Sequence, residues 1–287
     1  MVRNAARRVG VAAGLAGAFL LLGSQAAEAG MARLFVPKAE LWPRWEEHIS
    51  ADTRTIDHTA WNAFLGKYLD TKHPSGIHRM NYKAVTAEDR RSLEEYLRRL
   101  EATFISTYNR REQLAYWINL YNALTVKVVL DRYPVKSIRD IKIPPGIFSI
   151  GPWSGKLVTV EGEKISLNDI EHRILRPIWR DPRSHYAVNY ASLGCPNLAG
   201  VAYTGENTDR LLTESAIAFI NHPRGASFRD GRLVVSSLYD WFEGDFGGEG
   251  AGVLKHLRQY ARGDLAKQLE NYDGAYDDEY DWGLNQP

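Results

Sequence analysis

Apolar positions recur at helical spacing early in the chain and in short alternating runs later. Ile56–Tyr68 has helical spacing, and His73-Pro74-Ser75-Gly76 follows as a turn. Thr86-Ala-Glu-Asp89 reads as a capping box that opens a helix to about Ala102, with Leu93, Tyr96, Leu97 and Leu100 on one face. Gln113–Leu130 is apolar nearly all round, which predicts a buried central helix ended by Pro134. Pro144-Pro145-Gly146 and Gly151-Pro152 mark a long loop. Lys156–Val160 and Lys164–Ser166 form a predicted hairpin around Glu161-Gly162-Glu163, after which Ser166–Asp169 caps a short helix through Leu175. His185–Ser192 reads as a strand, and Cys195-Pro196 as the turn from that strand into a helix, since proline suits a first helical turn. Asn207–Asn221 is an amphipathic helix, and Phe228–Ser236 a hairpin turning at Asp230-Gly231. Two short helices near Gly252–Ala261 and Asp264–Tyr272 precede a returning strand over Glu279–Leu284. Helices first, then mixed strands and helices, predict an α+β fold: a helical N-terminal part packed on a small mixed or antiparallel sheet. Residues 56–287 read as a single domain, and 30–55, with Pro37 and Pro43, as a loosely structured lead-in.

The first 29 residues have a different character. Arg3, Arg7 and Arg8 give a basic start, an uncharged stretch follows from Val9 to Ala27, and Ala27-Glu28-Ala29 supplies a small-residue cleavage site. This is the layout of a secretory signal and predicts a mature chain starting at Gly30, in the periplasm or secreted. An uncleaved anchor is the alternative, but the many Gly and Ala residues make a weak one. Cleavage takes away three arginines and one glutamate, so the net charge changes from +1 to −1. A balanced charge lacks the basic excess that phosphate backbones require, so no nucleic-acid partner is expected. No later stretch is apolar enough to span a bilayer, so no stable membrane insertion is expected after cleavage.

Export gives the single cysteine, Cys195, its interest. Cysteines in oxidising compartments are usually paired, and this one has no partner within its own chain. Gly194 before it permits a tight turn and close approach by another molecule. A helix starting at Pro196 would set the sulfur at a helix N-terminus, where the dipole favours thiolate. The alternative is a small buried hydrophobe, the common fate of a free cysteine.

A thiolate nucleophile needs a base. As the start of an extended strand, His185 would lie roughly 25 Å from the end that leads to Cys195. His172, on the preceding helix, is the candidate that packing across the sheet would bring close. On the central helix, Glu112, Tyr116, Asn119 and Lys127 fall near one line among apolar residues. Such a stripe must be paired, either to orient a catalytic histidine or in a structural hydrogen-bond network. Asn119, Gly194 and Asn197 stand as candidate substrate contacts. His73 and His78 are too loosely spaced for a metal site, and the acidic end around Asp277 and Asp281 lacks the pattern of a calcium loop. Asp240, Glu243 and Asp245 flank Trp241 and Phe246, but nothing else points to a glycosidase pair. With no G-x-S-x-G and no phosphate loop, neither cofactor nor metal is expected.

Four motifs occur in order: Ala115-Tyr-Trp-Ile-Asn-Leu-Tyr-Asn-Ala-Leu124, Leu167-Asn-Asp-Ile-Glu-His-Arg-Ile-Leu-Arg176, His185-Tyr-Ala-Val-Asn-Tyr-Ala-Ser-Leu-Gly-Cys-Pro196 and Tyr280-Asp-Trp-Gly-Leu-Asn285. Together they resemble the domain of unknown function 547 family, from about Ile56 to Asn285. The resemblance implies a likeness to papain-like cysteine hydrolases with a glutamate, histidine and cysteine trio, which match Glu112, His172 and Cys195 here. His185 begins the cysteine motif and is the rival base. The family often has serine where this chain has Gly194.

The expectation is thus an exported thiol-dependent hydrolase or acyl transferase acting on a small peptide-like amide, such as a glutathione-like or cell-wall peptide. Cys195 would attack, His172 or His185 would move the proton, Glu112 would orient the base, and backbone N–H groups after Cys195 would hold the oxyanion. The alternatives are a non-catalytic binding or scaffold module and a redox-active thiol protein.

Overall fold

The computed structural model describes residues 37–143, 151–248 and 250–287. The expected leader over 1–29 and the Pro144-Pro145-Gly146 loop lie outside the described residues.

Three helices build the larger core: α1 (Thr59–Tyr68), α2 (Ala87–Glu101) and α3 (Arg110–Arg132). The Thr86 hydroxyl accepts from the Asp89 N–H at 3.1 Å, and the predicted apolar face of α2 is buried. Asn109 opens α3 by accepting from the Arg111 and Glu112 N–H groups at 3.0 and 3.1 Å. α3 is buried on nearly every side, as its apolar composition requires. The lead-in is not loose from Pro37 onward. Trp45 is buried against Trp117 of α3, with ring centroids 5.0 Å apart.

The sheets are small. β1 (Leu69–Asp70) pairs with β2 (Arg79–Met80), and β3 (Val158–Val160) with β4 (Glu163–Ile165), both antiparallel. The turn between β3 and β4 places Glu161 and Gly162 at positive φ, as the tight hairpin demands. The third sheet is mixed: β5 (Ala226–Arg229) runs antiparallel to β6 (Arg232–Ser236), and β7 (Tyr276–Glu279) runs parallel to β6. The strand expected over Glu279–Leu284 is thus shifted toward the N-terminus, and Leu284 instead makes an isolated bridge to Ser192.

The structure is α+β, with two buried clusters. The first centres on α1–α3. The second is built by α5 (Thr208–Ile220) and the third sheet together with α6 (Leu238–Trp241), α7 (Ala251–Tyr260) and α8 (Gly263–Leu269). Between α3 and α5, the chain forms a π-helix, Asp169–Leu175, continued by the α-helical turn α4 (Arg176–Trp179). Ser166 caps this run, accepting from Asp169 N–H at 3.1 Å.

Two local expectations are overturned here. His185–Ser192 is not a strand: a 3-10 helix covers Pro182–Tyr186, and the chain then continues irregularly. No helix starts at Pro196, and the next one begins at Thr208. The reason lies in side chains of α3, which take over backbone pairing that a ladder would otherwise supply. Asn122 donates to the Ala187 carbonyl at 2.8 Å and accepts from Asn189 N–H at 2.9 Å. Asn119 does the same with both main-chain groups of Tyr203, at 2.7 and 3.0 Å. Asn189 in turn accepts from Ala191 N–H and donates to the Pro196 carbonyl.

Candidate functional site

Cys195 is enclosed, with 1% of its surface exposed. Its sulfur accepts from Tyr190 N–H at 3.1 Å and faces the Val188 carbonyl at 3.7 Å. Burial pushes the thiol up to about 12, against the favourable pull of the Tyr190 N–H and the Tyr280 hydroxyl on the thiolate. Without a helix start at Pro196, the dipole that would favour thiolate is absent. The approach that Gly194 permits is made by the chain itself: a Cβ there would sit 2.7 Å from Asp281 N.

The other expected groups are dispersed. Glu112 accepts from Ile56 N–H at 2.8 Å and Gly205 N–H at 2.9 Å, so its carboxylate fastens two loops to α3. Tyr116 donates to the Leu100 carbonyl, and Lys127 pairs with Asp131. The α3 stripe is therefore a structural network. Asn197 accepts from His78 N–H at 3.0 Å and Arg224 at 2.7 Å, which ties loops together. Among the described residues, no histidine nitrogen is hydrogen-bonded to the Cys195 sulfur, nor Glu112 to a histidine.

What the fold does assemble lies one step away. Tyr190, whose N–H reaches Cys195, donates its buried phenol to Glu171, and Tyr121 donates to the same carboxylate at 3.0 Å. His185 Nδ1 stands 3.8 Å from Glu171 and has no hydrogen-bond partner. On its other side His185 Nε2 donates to Asp245 Oδ2 at 2.7 Å, and Arg176 Nε donates to the same oxygen at 2.5 Å. Phe242 stacks on His185 with centroids 4.2 Å apart, fixing the imidazole plane. Burial alone would raise the Asp245 carboxyl. The hydrogen bonds from His185 and Arg176 outweigh it and hold the group below the usual carboxylate range.

His172 completes the cluster. Its Nδ1 lies 3.0 Å from Arg176 Nη1. A guanidinium only donates, so Nδ1 accepts and the ring is neutral. Burial pushes His172 down to about 4, and the Arg176 cation acts in the same direction. The π-helical winding also leaves main-chain acceptors for the lead-in: Glu40 N–H donates to the His172 carbonyl at 2.9 Å and Trp42 N–H to that of Arg173 at 3.0 Å. That contact lays residues 39–41 along one side of a pocket.

The pocket has a volume of about 460 Å³ and is lined by Arg176, Arg180, Asp181, Ser184, Asp245 and Leu41 among others. Asp245 is a quarter exposed, whereas Arg176 and His185 behind it are nearly covered. The hydrogen bonds from His185 and Arg176 both converge on Oδ2. Among the described residues, no group of His, Cys, Asp and Glu is arranged to hold a metal ion. Of the expected site residues, His172 and His185 meet here, and Glu112 and Cys195 do not take part. Glu171 and Arg176 lie within the Leu167–Arg176 motif, and Asp245 within the acidic run beside Trp241. Their charge within apolar surroundings was the available signal.

Residues 105–220 match the model of the family described as "Protein of unknown function, DUF547". The matched segment contains Glu171, His172, Arg176, His185 and Cys195, and ends before Asp245. Asp245 therefore comes from outside it, whereas Asp181 on the same wall lies within it. No curated protein and no solved structure matches the chain, so the expected likeness to papain-like hydrolases is not confirmed by any structural neighbour.

Proposed function

We propose that the protein is a binding module for small peptide-like molecules, acting through the pocket at Asp245 rather than through its thiol. The observation that carries this reading is the Asp245 carboxylate, held as an anion by Arg176 and His185 and partly open to the pocket. An anchored, partly dehydrated carboxylate is a receptor for a ligand ammonium group. The enclosed, protonated Cys195 offers no comparable support for nucleophilic attack. The leader pattern over 1–29 belongs to the same proposal and supports a ligand met in the periplasm or outside the cell.

Calorimetric titration with L-alanyl-L-alanine tests it. The wild-type protein should bind the dipeptide, and N-acetylation of the peptide or Asp245→Asn should weaken binding about tenfold or more. Equal affinity for the free and acetylated peptides would remove Asp245 as the amino-end receptor.

A further inference from the structure

We infer that Arg180 is the pocket's receptor for the ligand's carboxylate, so that the site selects a zwitterion with free amino and carboxyl ends. The inference rests on the amino-end role of Asp245 proposed above. The helical run from Asp169 ends at Arg180, which adopts the left-handed conformation, φ 50° and ψ 33°. That position normally belongs to glycine, because a Cβ there is strained. Arginine at such a site costs stability, a cost that a role for its side chain would account for. This side chain lies along the pocket wall and is exposed. Its Nε donates to the Pro177 carbonyl at 3.3 Å, which folds the guanidinium back over the helix end. Among the described residues no carboxylate forms an ion pair with Arg180. The other charges on the wall are committed: Arg176 to Asp245, and Asp181 to Arg183. Arg180 thus provides the pocket's uncommitted cation, and a planar guanidinium suits a carboxylate in two-point contact.

Arg180→Gly separates this role from mere helix capping, because the two predict opposite outcomes. Wild-type protein should bind L-alanyl-L-alanine about tenfold or more tightly than its C-terminal amide. Arg180→Gly should bind both peptides as weakly as wild type binds the amide, while its thermal midpoint stays level or rises as the strain is relieved. A variant that keeps the preference for the free carboxylate, or that unfolds at a lower temperature, overturns the assignment. Loss of that preference while the N-acetyl peptide is still rejected confines the result to Arg180 and leaves Asp245 in place. Absence of dipeptide binding by the wild type overturns both roles at once.

Discussion

His185 Nε2 lies 2.7 Å from Asp245 Oδ2, and this one hydrogen bond joins the 3-10 helix Pro182–Tyr186 to the 3-10 turn Glu243–Phe246. The imidazole is buried, and its Phe242 neighbour stacks upon it. His185→Phe would keep the stacking and remove the donor. The expected loss is about 2 kcal/mol, the scale of a hydrogen bond to a charged group. Urea denaturation measures it. A change below about 0.5 kcal/mol would mean that Arg176 alone holds Asp245.

Cys195 should behave as an enclosed thiol. With burial holding it near 12, native protein at neutral pH should react with iodoacetamide far more slowly than a free thiol. The rate should rise in urea in step with unfolding. Cys195→Ala should cost about 1–3 kcal/mol by removing a packed sulfur and leaving Tyr190 N–H unpaired. Rapid native alkylation, with an inflection near 8.5 or below, would return the thiol to the list of working nucleophiles.

Regular elements were legible where one local rule decided them. Thr86 and its apolar face specify α2, and Asp230-Gly231, both at positive φ, specify the turn between β5 and β6. The stretch from His185 to Asn207 was not legible. Its alternation imitates a strand, and Pro196 imitates a helix start, but Asn119 and Asn122 supply backbone partners from a distance and Asn189 supplies one from within the stretch. The site inherits the same asymmetry. His172 and His185 could be picked out by residue type. Their union through Arg176 and Asp245 depends on a contact between residues 69 positions apart, which no local pattern encodes.

The asparagines of α3 are therefore expected to matter more than their size suggests. Asn122→Ala would leave the Ala187 carbonyl and the Asn189 N–H unpaired in a buried place. Two such groups should cost about 2–4 kcal/mol. Hydrogen exchange would show the loss concentrated in residues 187–197, with the remainder of α3 protected. A uniform loss across the chain would instead mean that the segment and α3 unfold together.

Stability should fall as the solution becomes mildly acidic. Burial pushes His58, His172 and His256 each from 6.5 down to about 4. Between these values the unfolded chain binds protons that the folded chain excludes, so stability rises with pH through this window. The contribution is fully present above 6.5 and is lost as pH falls toward 4. Each histidine accounts for up to roughly 3 kcal/mol across the interval. His256 accepts or donates at Nε2 to the Tyr186 hydroxyl at 2.8 Å, a contact that glutamine can keep. His256→Gln should flatten the dependence of the urea midpoint on pH between 6.5 and 4 by close to one proton's worth, while stability at pH 7 changes little. An unchanged slope would show that His256 takes up its proton without opening the fold.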